Sequence, residues 1–126
     1  MKIDYVRNSE GINVVDAYFE GAVVVNQVTY TSSLILSATD IIDDWDPETC
    51  SELTPHHMHQ VISLEPEIVI LGTGSKIIFP RDEILQPMSS HRIGYEIMDT
   101  GAACRSYNFL AAEGRHVVAA LFMIGQ

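Results

Sequence analysis

The spacing of hydrophobic positions changes near residue 54, and the change divides the chain into two kinds of structure. Upstream, "GINVVDAYFEGAVVVNQVTYTSSLILSATDIIDDW" is rich in Val, Ile, Tyr and Thr and is interrupted by Gly11, Gly21 and the pair Asn26-Gln27. β-Branched and aromatic residues suit a pleated, half-buried surface, and breaks at turn residues suit hairpins. This segment therefore predicts three or four short strands joined by tight turns, running antiparallel.

Downstream, helical and strand patterns alternate. Thr54-Pro55 pairs an N-cap with proline at the first helical position, where the missing N–H costs nothing. The helix "PHHMHQVIS" puts Met58, Val61 and Ile62 on one face, and Glu65-Pro66 ends it. "EIVILG" is a continuous aliphatic run, as expected of a strand covered on both faces. "PRDEILQPMSSH" predicts a helix from about Pro80, shortened or kinked by Pro87. "GYEIM" is a second strand. Asp99-Thr100 then caps "GAACRSYNFLAAE", with Ala103, Tyr107 and Leu110 on one face and Gly114 as a left-handed stop. "HVVAALFMI" is a third buried strand. The order is β-α-β-α-β, and crossovers through helices require parallel strands in one sheet. The expected fold is α/β. It is a single compact domain over residues 1–126 with layered β/β/α architecture, in which antiparallel strands precede the β-α-β-α-β unit.

Composition fits this picture: the chain has 126 residues, 47% of them hydrophobic and 19% charged. Its longest apolar runs are far too short to span a bilayer, and "MKIDYVRNSE" lacks the apolar core of a signal peptide. Cys50 and Cys104 are too few for a disulfide framework, so a reducing cytoplasm is the expected compartment. A net charge of −10 argues against nucleic acid and anionic membrane surfaces as partners. Six of the acids fall between Asp40 and Glu52. They form either a solvated loop or a docking surface for a basic partner; the spacing of a calcium loop is missing.

Candidate chemistry collects where two of the parallel strands end. Gly72-Thr73-Gly74-Ser75 follows the first and Asp99-Thr100-Gly101 the second, on the edge where open α/β sheets bind ligands. The helix after Asp99 adds its free N–H groups there. Lys76, Arg81 and Arg105 lie nearby in sequence. If the loops meet, Thr73, Ser75, Lys76, Thr100 and Arg105 should line one concavity, with the N–H of Gly74 or Ser75 facing it. Either a turn without a passenger or a ligand contact fits the glycines. A dinucleotide fingerprint fails because Ile77 stands where its third glycine belongs, and no phosphate-binding loop motif is present. His56, His57 and His59 flank or oppose the apolar face of their helix, which points them to water and assigns no metal. Cys104 reads as a packed structural thiol, since no cysteine-hydrolase signature surrounds it. Asp99 reads as an N-cap and Glu96 as a lone strand carboxylate. No catalytic residue and no cofactor is assigned.

At "EIVILGTG", "GYEIMDTGAACRSYNFLAAEGR" and "VVAAL" the chain resembles a known family, with a looser match over "YFEGAVVVNQVTYTSSLILSATDIIDDW" ending in Trp45. This is the small domain of unknown function found in stand-alone bacterial and archaeal proteins. It is also found in the mitochondrial NADH dehydrogenase (complex I) assembly factor 3 and in an adipogenesis-associated human protein. The resemblance implies a layered α/β fold and marks Gly72, Thr73, Gly74, Asp99, Thr100, Tyr107, Asn108, Phe109, Glu113, Gly114 and Arg115 as motif positions, none of them catalytic. It also adds Asn108 to the candidate contacts. Arg92 stands where the family pattern usually has a helix-ending glycine. The resemblance implies a non-catalytic binding or assembly-factor-like domain of the bacterial branch, with protein partners. The alternative is a small-molecule (anion) binder, or an enzyme, using the strand-end pocket.

Overall fold

In the computed structural model, which describes residues 11–125, the upstream segment makes five strands rather than three or four. They are β1 (Val15–Phe19), β2 (Ala22–Val25), β3 (Val28–Tyr30), β4 (Leu34–Leu36) and β5 (Ile41–Ile42). The first three form an antiparallel sheet in the order β1-β2-β3. Its second hairpin turns at Asn26-Gln27, with φ of 50° and 69°, the left-handed pair that a two-residue hairpin turn requires.

The remaining elements follow the alternation of the sequence. A 3-10 turn (Cys50–Glu52) leads to α1 (Pro55–Ile62), β6 (Ile68–Gly72), α2 (Asp82–Ser90), β7 (Gly94–Met98), α3 (Thr100–Ala112) and β8 (Val117–Leu121). β6 lies between β8 and β7 and is parallel to both. The N-terminal strands do not all form a separate layer. β4 pairs antiparallel with β8 and carries β5 on its outer side, giving a five-stranded mixed sheet in the order β5-β4-β8-β6-β7.

Both faces of this sheet are covered, and strict alternation divides its side chains between them. Leu34, Leu36, Ile70, Ala119 and Leu121 pack with α3 and the three-stranded sheet. Ile35, Val69, Leu71, Ala120 and Phe122 pack with α1, α2 and Trp45. That double burial explains why "IVIL" and "VVAAL" read as unbroken aliphatic runs. A left-handed residue follows each of the three helices, and only one of them is glycine: Glu65 takes φ 57° after α1. Gly114 closes α3 at φ 81°, whereas α2 is closed by Arg92 at φ 58°, a conformation that glycine adopts more readily.

Candidate functional site

The carboxyl ends of β6 and β7 do adjoin, joined by a tight set of hydrogen bonds. Thr73 N–H donates to Met98 C=O at 2.9 Å, and Thr100 N–H donates to Gly74 C=O at 2.9 Å. The Thr100 hydroxyl accepts from Gly74 N–H at 2.8 Å and donates to Phe122 C=O at 2.6 Å, so one buried side chain ties together the ends of all three parallel strands. Asp99 Oδ1 accepts from Ala102 N–H at 2.9 Å and caps α3, leaving Thr100 free for this role. The expectation that the Gly74 N–H faces a concavity is corrected here: that donor points inward and is satisfied. Gly72 has a packing reason of its own. A Cβ there would sit 2.9 Å from Ala103 Cβ and 3.1 Å from Thr100 Cα, so glycine lets α3 approach the sheet.

The other candidates divide. Thr73 is buried; its hydroxyl donates to Lys76 C=O and accepts from Ile78 N–H, bracing the turn that follows β6. Ser75 and Lys76 are exposed beside it, and Ser75 Oγ accepts from Gly125 N–H. Arg105 is exposed and turned to the Tyr18 hydroxyl. Asn108 lies further along α3. Its amide accepts from Val15 N–H at 2.9 Å and donates to Val15 C=O at 2.8 Å, acting as a strand partner for β1. Thus Gly72, Thr73, Gly74, Ser75, Asp99 and Thr100 come together, Lys76 stands at their margin, and Arg105 and Asn108 face the three-stranded sheet.

The residues that sequence reasoning passed over are Ile77-Ile78-Phe79, between the candidate Lys76 and the helix expected from about Pro80. Ile77, Ile78 and Phe79 are 51%, 47% and 72% exposed, and Lys76 and Arg81 flank them. "KIIFP" in the sequence looks like the edge of a core element, and nothing local says that its side chains stay in water. The Thr73 hydroxyl bonds the backbone at both Lys76 and Ile78, at the start of this exposed segment.

The histidines need a second correction. His57 is buried and does not point to water: its Nδ1 accepts from Thr54 N–H at 3.0 Å, closing the N-terminal turn of α1, and its ring meets Trp45 edge-on at 6.0 Å. His56 and His59 are exposed. With Ile35, Ile42, Trp45, Gln60 and Ser63 they line an open cleft of about 400 Å³. No cluster of three metal-ligating side chains occurs among the described residues. Cys104 is packed in the core, where burial pushes its thiol up to about 12; the nearby Arg105 lowers the pKa less than burial raises it, and Asp99 adds to the rise. The raised pKa disfavours the thiolate, the form in which a cysteine acts as a nucleophile.

Residues 15–122 match the family model described as "Protein of unknown function (DUF498/DUF598)". The chain belongs to this family. A relative named "13 kDa major membrane protein", from Francisella tularensis subsp. holarctica (strain LVS), is 31% identical over 101 residues, covering 79% of this chain and 82% of that protein. The human "NADH dehydrogenase (ubiquinone) 1 alpha subcomplex assembly factor 3" is 30% identical over 109 residues, 85% of this chain. The chain spans 59% of that factor's length. Among solved structures, a Bordetella parapertussis protein is 34% identical with a TM-score of 0.85, over 90% of this chain and 97% of that one. A Bordetella pertussis protein described as a Mth938-like domain is 28% identical with a TM-score of 0.83, over 100% and 94%. The two Bordetella structures share the mixed α/β fold of this chain, and no helix among the described residues is long and apolar enough to cross a membrane.

Proposed function

We propose that this DUF498/DUF598 domain is a non-catalytic binding protein of assembly-factor type, which contacts a protein partner through the carboxyl edge of β6 and β7. One observation carries the reading. The buried polar groups of the GTGS and DTG loops are engaged within the protein, Gly74 N–H by the Thr100 hydroxyl and the Thr73 hydroxyl by Lys76 C=O and Ile78 N–H, while the segment that follows presents Ile77, Ile78 and Phe79 to solvent. Exposed apolar side chains clustered on a rigid base suit a protein contact better than the binding of a small polar molecule. Similarity to the complex I assembly factor supports the same class and extends it to subunits of a multi-subunit complex as partners. The anion-binding or enzymatic alternative has less support, because the Gly74 N–H that would hold an anion is engaged by Thr100. Two free, buried cysteines accord with a reducing cytoplasm. Native affinity purification tests the reading. Reproducible co-purification of defined protein subunits supports it, whereas a small molecule retained at one per chain, without protein, would favour the alternative.

A further inference from the structure

His57 is the one histidine of α1 turned inward, and each of its ring nitrogens has a partner. Nδ1 accepts from Thr54 N–H at 3.0 Å and lies 3.2 Å from the Thr54 hydroxyl, while Nε2 lies 3.4 Å from Asp46 Oδ2. A ring nitrogen that accepts a backbone N–H carries no proton of its own, so the neutral ring holds its proton on Nε2, towards Asp46. His57 occupies the third position of the helix, where glutamate or glutamine ordinarily reaches back to the N-cap N–H, and it makes that same contact. Unlike glutamine, histidine loses this acceptor when it takes up a proton. We propose that His57 is an acid-operated latch on the first turn of α1. Neutral, it holds the turn closed through Thr54 N–H; protonated, it releases the turn and swings towards Asp46.

Both nitrogens of an imidazolium are donors, so protonation sets Nδ1–H against Thr54 N–H. The Thr54 hydroxyl oxygen can take the new proton, yet Thr54 N–H is then left facing a donor. The closed site also buries the new charge, with Trp45 meeting the ring edge-on at 6.0 Å. Attraction to Asp46 works the other way. That side chain is 87% exposed and its contact is long, so the pair is too weak to keep a charged ring in the closed site. It is enough to give the released ring a direction. The neighbouring titratable groups do not alter the balance. Asp43 and Asp44 of the same loop are exposed, and Glu52 of the 3-10 turn is bonded back to Glu48 N–H. On α1 the exposed His56 ring stands 6.2 Å away and adds repulsion once both rings are charged. On α2, His91 packs against His59 instead. The latched turn carries His56 into the open cleft that Trp45 also lines. Trp45 stays fixed, because its Nε1–H donates to Gln60 Oε1 at 2.9 Å and its indole stacks on Phe122. Acid therefore loosens one wall of the cleft and leaves the other in place.

The latch does not depend on the partner reading, and its test uses the purified chain between about pH 8 and about pH 5, the range over which histidine side chains change charge. At the upper end, the imidazole nitrogen shifts of His57 should show Nδ1 bare and the proton on Nε2. Towards the lower end, protection of the Thr54 amide, corrected for the intrinsic pH dependence of exchange, should fall by about fivefold or more. Emission of Trp45, the only tryptophan in the chain, should change over the same interval. His57→Gln keeps the acceptor without the titration, so both signals should become flat. Asp46→Asn removes the exposed partner of the released ring, and opening should then need more acid. Equal protection of the Thr54 amide at both ends overturns the proposal on the wild-type chain alone, even where His57→Gln folds poorly. A folded His57→Gln in which both signals titrate as in wild type overturns it too, and hands the effect to His56, His59 or the carboxylates.

Discussion

Thr100 and Gly74 are joined by a buried hydrogen bond of 2.8 Å, in which the threonine hydroxyl accepts the glycine N–H while donating to Phe122 C=O. Replacing Thr100 by valine keeps the shape and removes both bonds, stranding a donor and an acceptor in the interior. The expected loss is about 2–6 kcal/mol, since each of the two buried unsatisfied groups costs ~1–3 kcal/mol. Urea unfolding of Thr100→Val against wild type measures it. Thr100→Ser keeps the hydroxyl and should recover much of the difference.

Gly72 should prove a packing residue. A methyl group there meets Ala103 Cβ at 2.9 Å and Leu121 Cδ2 at 3.0 Å, both in the core. Gly72→Ala is expected to cost about 1–3 kcal/mol through overpacking, and Gly72→Val more. Thermal unfolding decides the point; an unchanged Tm for Gly72→Ala would show that α3 can shift freely.

Alkaline pH should destabilise the fold. Burial pushes the Cys104 thiol to about 12 from an ordinary value of 9.0 and also raises the Tyr107 hydroxyl above 10.0. Below the unfolded values both groups are protonated in either state, so this part of the stability is fully present. As pH rises past 9.0, the unfolded chain ionises first and stability falls through the folded values. The free energy of unfolding should therefore drop as pH rises from about 9 towards about 12, less steeply in Cys104→Ala. Ellman's reagent should label Cys50 and Cys104 only after unfolding.

Asn108 should couple the two sheets. It makes two hydrogen bonds to the backbone of Val15, 93 residues away. Asn108→Ala is expected to cost about 2–3 kcal/mol, at ~1–1.5 kcal/mol per bond. Amide exchange should accelerate first in β1–β3, a local opening rather than a uniform one.

What the sequence disclosed and what it hid follow from the range of the forces involved. The Asp99 cap, Pro55 at the start of α1, the Gly114 stop and the three parallel strands depend on a few neighbouring residues, and all were legible. The joining of β4 to β8 depends on a partner more than eighty residues away, and no local pattern marks it. His57 looked solvated on a helical wheel. Trp45 and the loop before α1 cover it, and a wheel contains neither. At the candidate site, strand order was enough to bring GTGS and DTG together. Their hydrogen bonds to one another, and the display of Ile77, Ile78 and Phe79, required coordinates.

Partner contact through residues 77–79 is the central feature of the proposed role. The most direct measurement places a photo-crosslinking amino acid at Phe79 in cells, with a control at Phe109, exposed on α3. Irradiation is predicted to give a discrete covalent adduct with a specific protein from position 79 and not from position 109, and the adduct should disappear when Ile77→Asp is added in a chain with unchanged Tm. Adducts from position 109 alone would contradict the account, as would a position-79 adduct indifferent to Ile77→Asp or no protein adduct at either position.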